Sequence, residues 1–104
     1  MIEEDAYWVW SCSETNQLED PQSTGKWIIR GLSKHRLWDL IKSIDDLVEE
    51  GILYKAKFSG EDPDRDWERN QTVLCVYADD STKDETLRVL QEELDLKPAE
   101  WKYD

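Results

Sequence analysis

Two periods alternate along the chain. Between Lys26 and Arg30, Trp27 and Ile29 fall on one side and Lys26, Ile28 and Arg30 on the other, the two-residue repeat of a strand. From Leu37 the repeat lengthens: Leu37, Leu40, Ile41, Ile44, Leu47 and Val48 recur at helical spacing. Ser33 is the N-cap of that helix, which runs to about Glu50, and Gly51 suits the left-handed residue that ends it. Upstream, Ala6 to Ser11 alternates, with Trp8 and Trp10 opposite Tyr7 and Val9. Downstream, "ILYKAKFS" sets Tyr54, Ala56 and Phe58 against Leu53, Lys55 and Lys57, and "QTVLCVYA" is a short apolar run rich in β-branched residues. Thr82 and Glu85 then read as a capping box before a second helix with the stripe Leu87, Leu90 and Leu94, stopped by Pro98. "EWKYD" remains as a final strand.

The predicted order is ββαββα with an optional last β, in a single domain over residues 1–104. Strands one and two, and strands three and four, can pair as antiparallel hairpins. Each helix has one apolar stripe, so both must cover the same face of the sheet. The fold class is therefore α+β: a two-layer sandwich with a mostly antiparallel sheet of four or five strands and two helices on one face. The stretches "ETNQLEDPQSTG" and "GEDPDRDWERN" read as long polar connections.

If Trp27, Ile29, Tyr54, Ala56, Phe58, Leu74 and Val76 face the helices, the open side receives Lys26, Ile28, Arg30, Lys55, Lys57, Cys75 and Tyr77. The final strand would add Lys102, and the first strand either Trp8 and Trp10 or Tyr7. Composition makes this face unusual, because Asp and Glu number 25 against 13 Lys and Arg, a formal net charge of -12. That balance excludes non-specific attraction to duplex nucleic acid or to an anionic membrane. A basic, aromatic face on an anionic body instead suits an anionic small molecule or a phosphopeptide, since a local positive field survives a negative total. The plainer alternative is an ordinary solvated face whose charges are answered by carboxylates from nearby loops.

Other chemistry is sparse. Cys12 and Cys75 lie in or beside apolar strands and read as small hydrophobes. Metal, cofactor, P-loop, dinucleotide and serine-nucleophile signatures are absent, so no catalytic or metal-ligating residue and no cofactor is assigned. Asp62, Asp64 and Asp66 alternate like a calcium loop, but Trp67 and Val73 stand where an EF-hand needs Gly and Glu. The Asp45 and Asp46 pair is placed on the outer side of the first helix, and Asp79 and Asp80 where a helix N-terminus favours negative charge. "MIEEDAYWVWSCS" has acidic residues where a secretory signal needs basic ones, and its apolar run is too short for a span, so a cytoplasmic monomer or weak dimer is expected.

The motifs "YWVWSCS", "GKWIIR", "YKAKFS", "DWERN" and "TVLCVYADD" resemble, in that order, the translation initiation factor 4E-like fold, and most closely the branch typified by the basophilic leukemia expressed protein. The resemblance implies a curved sheet. It also implies that Trp67 and Glu68 stand where cap-binding members stack and pair a methylated base. The second stacking aromatic has no counterpart in "ETNQLEDPQSTG", so cap binding is not expected. The branch further suggests phosphothreonine-lyase-like chemistry, with Lys26, Lys57 and Arg30 handling phosphate; His35, in the first turn of a helix, is a poor acid for it. Three readings stay open: a non-enzymatic binding module for an anionic ligand, a phosphate-handling enzyme, and an interaction domain whose Glu49, Glu50, Glu85, Glu92 and Glu93 meet a basic protein partner.

Overall fold

The computed structural model describes residues 1–4, 8–13, 16, 21–59, 73–98 and 100–104. Its elements are β1 (Ile2–Glu4), β2 (Trp8–Ser11), a short 3-10 turn (Pro21–Ser23), β3 (Gly25–Arg30), α1 (Lys34–Glu49), β4 (Lys55–Ser59), β5 (Val73–Ala78), α2 (Lys83–Glu92) and β6 (Glu100–Tyr103). The six strands form one sheet in the order β1-β2-β4-β5-β3-β6. Every neighbouring pair is antiparallel.

The α+β class therefore holds, with two corrections. The sheet has six strands rather than four or five, because Ile2–Glu4 adds an edge strand to β2. Nor do the first two expected strands form a hairpin: β2 pairs with β4, and β3 pairs with β5 along all six of its residues. The segment between Ser11 and Gly25 is too long to impose a hairpin register, so the sheet is free to insert β4 and β5 between its ends.

Helix α1 starts and stops by local chemistry. The Ser33 Oγ accepts from the Arg36 N–H at 3.2 Å. At the other end Gly51 takes φ +78°, its N–H bonds the Val48 carbonyl, and the Ile52 N–H bonds the Leu47 carbonyl, closing a Schellman motif. The N-cap of helix α2 is Thr82, as expected, but its side chain makes no capping bond to the helix and the box with Glu85 does not form; Thr82 is held from one turn earlier instead. The buried Asp79 Oδ1 accepts from the Thr82 N–H at 2.9 Å and the Ser81 Oγ at 2.7 Å, while the Thr82 Oγ1 accepts from the Asp79 N–H at 3.1 Å. Glu85 pairs with Arg88 instead.

Both helices pack on one sheet face. Val9, Ile29, Ala56, Phe58, Leu74 and Val76 meet Leu37, Ile41, Ile44 and Val48 of α1 and Val89 and Leu90 of α2 in one core. Burial of each large side chain there contributes about 1.5–3 kcal/mol. The buried residues of α2 are Thr86, Val89 and Leu90, so Leu87 stands outside the stripe expected of it. Trp27 is only half-buried at the rim of this core, where its Nε1 donates to the Lys83 carbonyl at 2.9 Å.

One expected alternation slips. Leu53 lies in the helix-side core and Tyr54 on the other face, the reverse of the sequence reading. The cause is the Schellman turn, which ties the Leu53 N–H as well to the Leu47 carbonyl, so strand alternation begins only at Lys55. Asp45 also differs from expectation. It faces β2 rather than solvent and accepts from the Ser11 Oγ at 2.8 Å.

Candidate functional site

The face away from the helices is built by cross-strand register. One row runs Lys55, Tyr77, Lys26, Lys102 over β4, β5, β3 and β6. The next runs Glu3, Trp10, Lys57, Cys75, Ile28, Glu100 over all six strands. Trp8 and Arg30 lie beyond it, on β2 and β3. Lys26, Arg30, Lys55, Lys57, Tyr77 and Lys102 thus share the open face. Trp8 and Trp10 join them because Val9 is committed to the core and Ser11 is buried on the helix side. Tyr7, Trp67 and Glu68 lie outside the described residues.

At the centre, Ile28, Cys75 and Tyr77 form a second, small buried cluster with Trp10, Tyr54 and Val73 packed against it. Tyr77 is only 6% exposed although no helix covers it. Its neighbours supply the cover. The Lys55 Nζ lies 4.9 Å from the centroid of the Tyr77 ring, and the Lys26 and Lys57 Nζ atoms each lie 5.7 Å from it. Lys57 also stands 4.0 Å above the Trp8 ring and 4.9 Å from the Trp10 ring, and Lys55 5.6 Å from Trp10 and 5.5 Å from Tyr54. Trp10 and Tyr77 stack at 6.3 Å. Each cation–π contact at such a surface contributes about 0.5–1 kcal/mol, while the lysine stems roof the rings.

The charges are answered unevenly. Lys26 is 3.2 Å from Asp104, and Arg30 is 2.9 Å from Glu100, both carboxylates belonging to β6 or the residue after it. Lys55 and Lys57, the two that stand over the rings of β2 and β5, make no ion pair among the described residues, and neither does Lys102 on the edge strand β6. The Lys55 and Lys57 ammonium groups stand over ring faces, and each has N–H donors to offer an anion. Burial pushes the Tyr77 phenol up to about 12, against the opposing pull of Lys26, so it stays protonated and a donor. Burial likewise raises the Cys75 thiol, which Lys26 and Lys57 only partly offset. An un-ionised thiol of this kind is a packing group rather than a nucleophile.

The remaining chemistry is elsewhere. His35 stands on α1, its side chain 92% exposed and its Nε2 3.7 Å from Asp39, on the opposite layer from the lysines. Among the described residues no group of three or more His, Cys, Asp or Glu is placed to hold a metal ion, and no helix is long and apolar enough to cross a membrane. The sequence leaves the first strand's contribution to this face open between Trp8 and Trp10 or Tyr7, and the commitment of Val9 and Ser11 to the helix side decides it for the two tryptophans. Alternation assigns Tyr54 to the other face, and the parity slip gives no signal for it.

No family model, curated protein or solved structure matches the chain. What the open face can do is read from its own chemistry.

Proposed function

We propose that the protein is a non-enzymatic binding module whose open sheet face takes an anionic ligand. The observation that carries this is the convergence of three ammonium groups within 5.7 Å of one ring centroid, in a chain with a formal net charge of -12. Like charges gathered this closely repel one another, and an anion placed among them relieves that repulsion while accepting charge-assisted hydrogen bonds. We read the architecture as initiation-factor-4E-like and the setting as cytoplasmic. The support for the fold reading is that "GKW" lies on β3, "KAKFS" on β4 and "VLCVYA" on β5, followed by Asp79 and α2, around a sheet with one uncovered face. The phosphate-handling enzyme gains nothing from His35, which is remote from Lys26, Lys57 and Arg30.

A thermal-shift screen against inorganic phosphate, phosphopeptides and nucleotides tests the reading. A ligand at 100 times its dissociation constant adds about 2.7 kcal/mol to stability. The double variant Lys26→Met, Lys57→Met retains the apolar stems and is expected to fold normally and lose the shift. An unchanged shift in that variant places the anion elsewhere.

A further inference from the structure

The ring faces of the open sheet are already in use. Lys57 lies over Trp8 and Trp10, and Lys55 over Trp10, Tyr54 and Tyr77, so what this side presents outward is ammonium N–H rather than a bare aromatic platform. A base or other planar ring would have to displace these cations to stack. The positive region is also bounded. Glu3 on β1 and Glu100 on β6 stand at the two ends of the row that contains Lys57, and Asp104 lies beside Lys26. A long polyanion crossing the sheet would run onto carboxylates, whereas a small anion held over β4, β5 and β3 would not.

Tyr77 adds the fourth group. It sits in register between Lys55 and Lys26, is 6% exposed, and its hydroxyl makes no hydrogen bond among the described residues. The residue's small remaining exposure reaches the hydroxyl, since among the described residues only Trp101 Nε1 is a fully buried side-chain polar atom without a partner. The phenol therefore donates to water where no ligand is bound and can donate to a ligand oxygen that replaces that water. Burial keeps the phenol protonated up to about 12, so it offers a hydrogen bond throughout the physiological range.

We infer that the ligand is a compact phosphate monoester recognised through its phosphate, with Lys55 and Lys57 matching its charge and Tyr77 donating a hydrogen bond to it. This rests on the anion-binding reading above. Two cations without carboxylate partners balance the charge of a phosphate monoester, about -1.5 to -2 at neutral pH, better than they balance a single carboxylate. The organic part of the ligand projects away from the sheet and is small or flexible.

Calorimetric titration at constant ionic strength tests this with glycerol 3-phosphate, acetate and adenosine as probes. Glycerol 3-phosphate is expected to bind, acetate at least tenfold more weakly, and adenosine not at all. Tyr77→Phe keeps the ring and is expected to leave the ligand-free melting temperature unchanged while weakening glycerol 3-phosphate about tenfold, the loss typical of a hydrogen bond to a charged group. Lys57→Met is expected to weaken it further. Equal affinity in Tyr77→Phe, binding of adenosine, or acetate as tight as the phosphate overturns the inference, and leaves the anion surface standing if Lys57→Met still loses binding. Failure of both anions to bind overturns the inference and the proposed function together.

Discussion

Strand β5 is buried on both faces, and by two different means. Toward the helices, Leu74 and Val76 are covered by side chains of other elements, chiefly those of α1 and α2. Toward solvent, Cys75 and Tyr77 are nearly as inaccessible, yet what covers them is the sheet's own Trp10, Tyr54 and lysine stems. The helix-side core is built of apolar side chains and is closed. The open face tolerates charge at its surface because only the stems are dehydrated, so it can be enclosed enough to shape a site and wet enough to admit a ligand. Stability and recognition are thereby assigned to opposite sides of one backbone.

The largest test of that division is Phe58→Ala. Phe58 is buried in the helix-side core, with the Trp38 ring edge-on at 5.3 Å, and its truncation is expected to cost about 3–5 kcal/mol in urea denaturation. Trp10→Ala on the open face is expected to cost distinctly less, since its ring is only partly buried. Equal losses would mean that the open face is a second core, and the division would fall. A smaller effect is expected at the edge of the core. Asp79→Ala removes the acceptor of the Thr82 N–H and of the Ser81 and Thr82 hydroxyls, and should cost about 1–3 kcal/mol; Asp79→Asn, which keeps an acceptor, should recover much of it.

The two faces were not equally legible in the sequence. Lys26, Ile28, Arg30, Lys55 and Lys57 could be placed together because alternation is local, and Ser33 and Gly51 bracket α1 by chemistry that acts within one turn. Pairing is not local. Nothing in residues 8–11 announces that their partner is Ala56–Ser59 rather than β3, and a three-residue strand reading Ile-Glu-Glu has no periodicity to detect. Tyr54 was lost for a subtler reason: the turn after α1 shifts the parity by one, and parity is all that alternation reports. The α2 N-cap falls on Thr82 as expected, but the box with Glu85 fails because Asp79 and Thr82 satisfy the same spacing rule, and the buried carboxylate takes the Thr82 groups. The lysine heads converging on Tyr77 required the strand order β4-β5-β3, which no single segment encodes.

Proton linkage gives a finer probe of how closed the open face is. Below pH 10, the ordinary tyrosine value, the Tyr77 phenol is protonated folded and unfolded and makes no pH-dependent difference. Between pH 10 and about 12 the unfolded chain releases this proton while the folded protein retains it, so stability falls as pH rises through that window. Other groups titrate there too, so the measurement is the difference between the parent and Tyr77→Phe in urea midpoints at pH 9 and pH 11. The variant is expected to lose less stability over the interval. Identical losses would show that solvent reaches the phenol freely, and the open face would then be a plain wet surface.

The smallest expected effect is also the sharpest for function. Lys57→Met forfeits cation–π attraction to Trp8, Trp10 and Tyr77, about 0.5–1 kcal/mol for a contact of this exposure, but retains a stem of similar shape over the rings. It also relieves repulsion from Lys55 and Lys26, whose ammonium groups converge on the same ring. These terms oppose each other and are of similar size, so the urea midpoint at low salt should move by less than about 1 kcal/mol in either direction. Salt separates them. Added sodium chloride screens repulsion among the lysines, so it should stabilise the parent more than the variant. If Lys57→Met instead destabilises strongly at every salt concentration, the lysine is a structural roof for Tyr77 and the open face belongs, with the helix face, to the core. If the midpoint holds while binding of glycerol 3-phosphate is lost, the cation is maintained there for a ligand rather than for the fold.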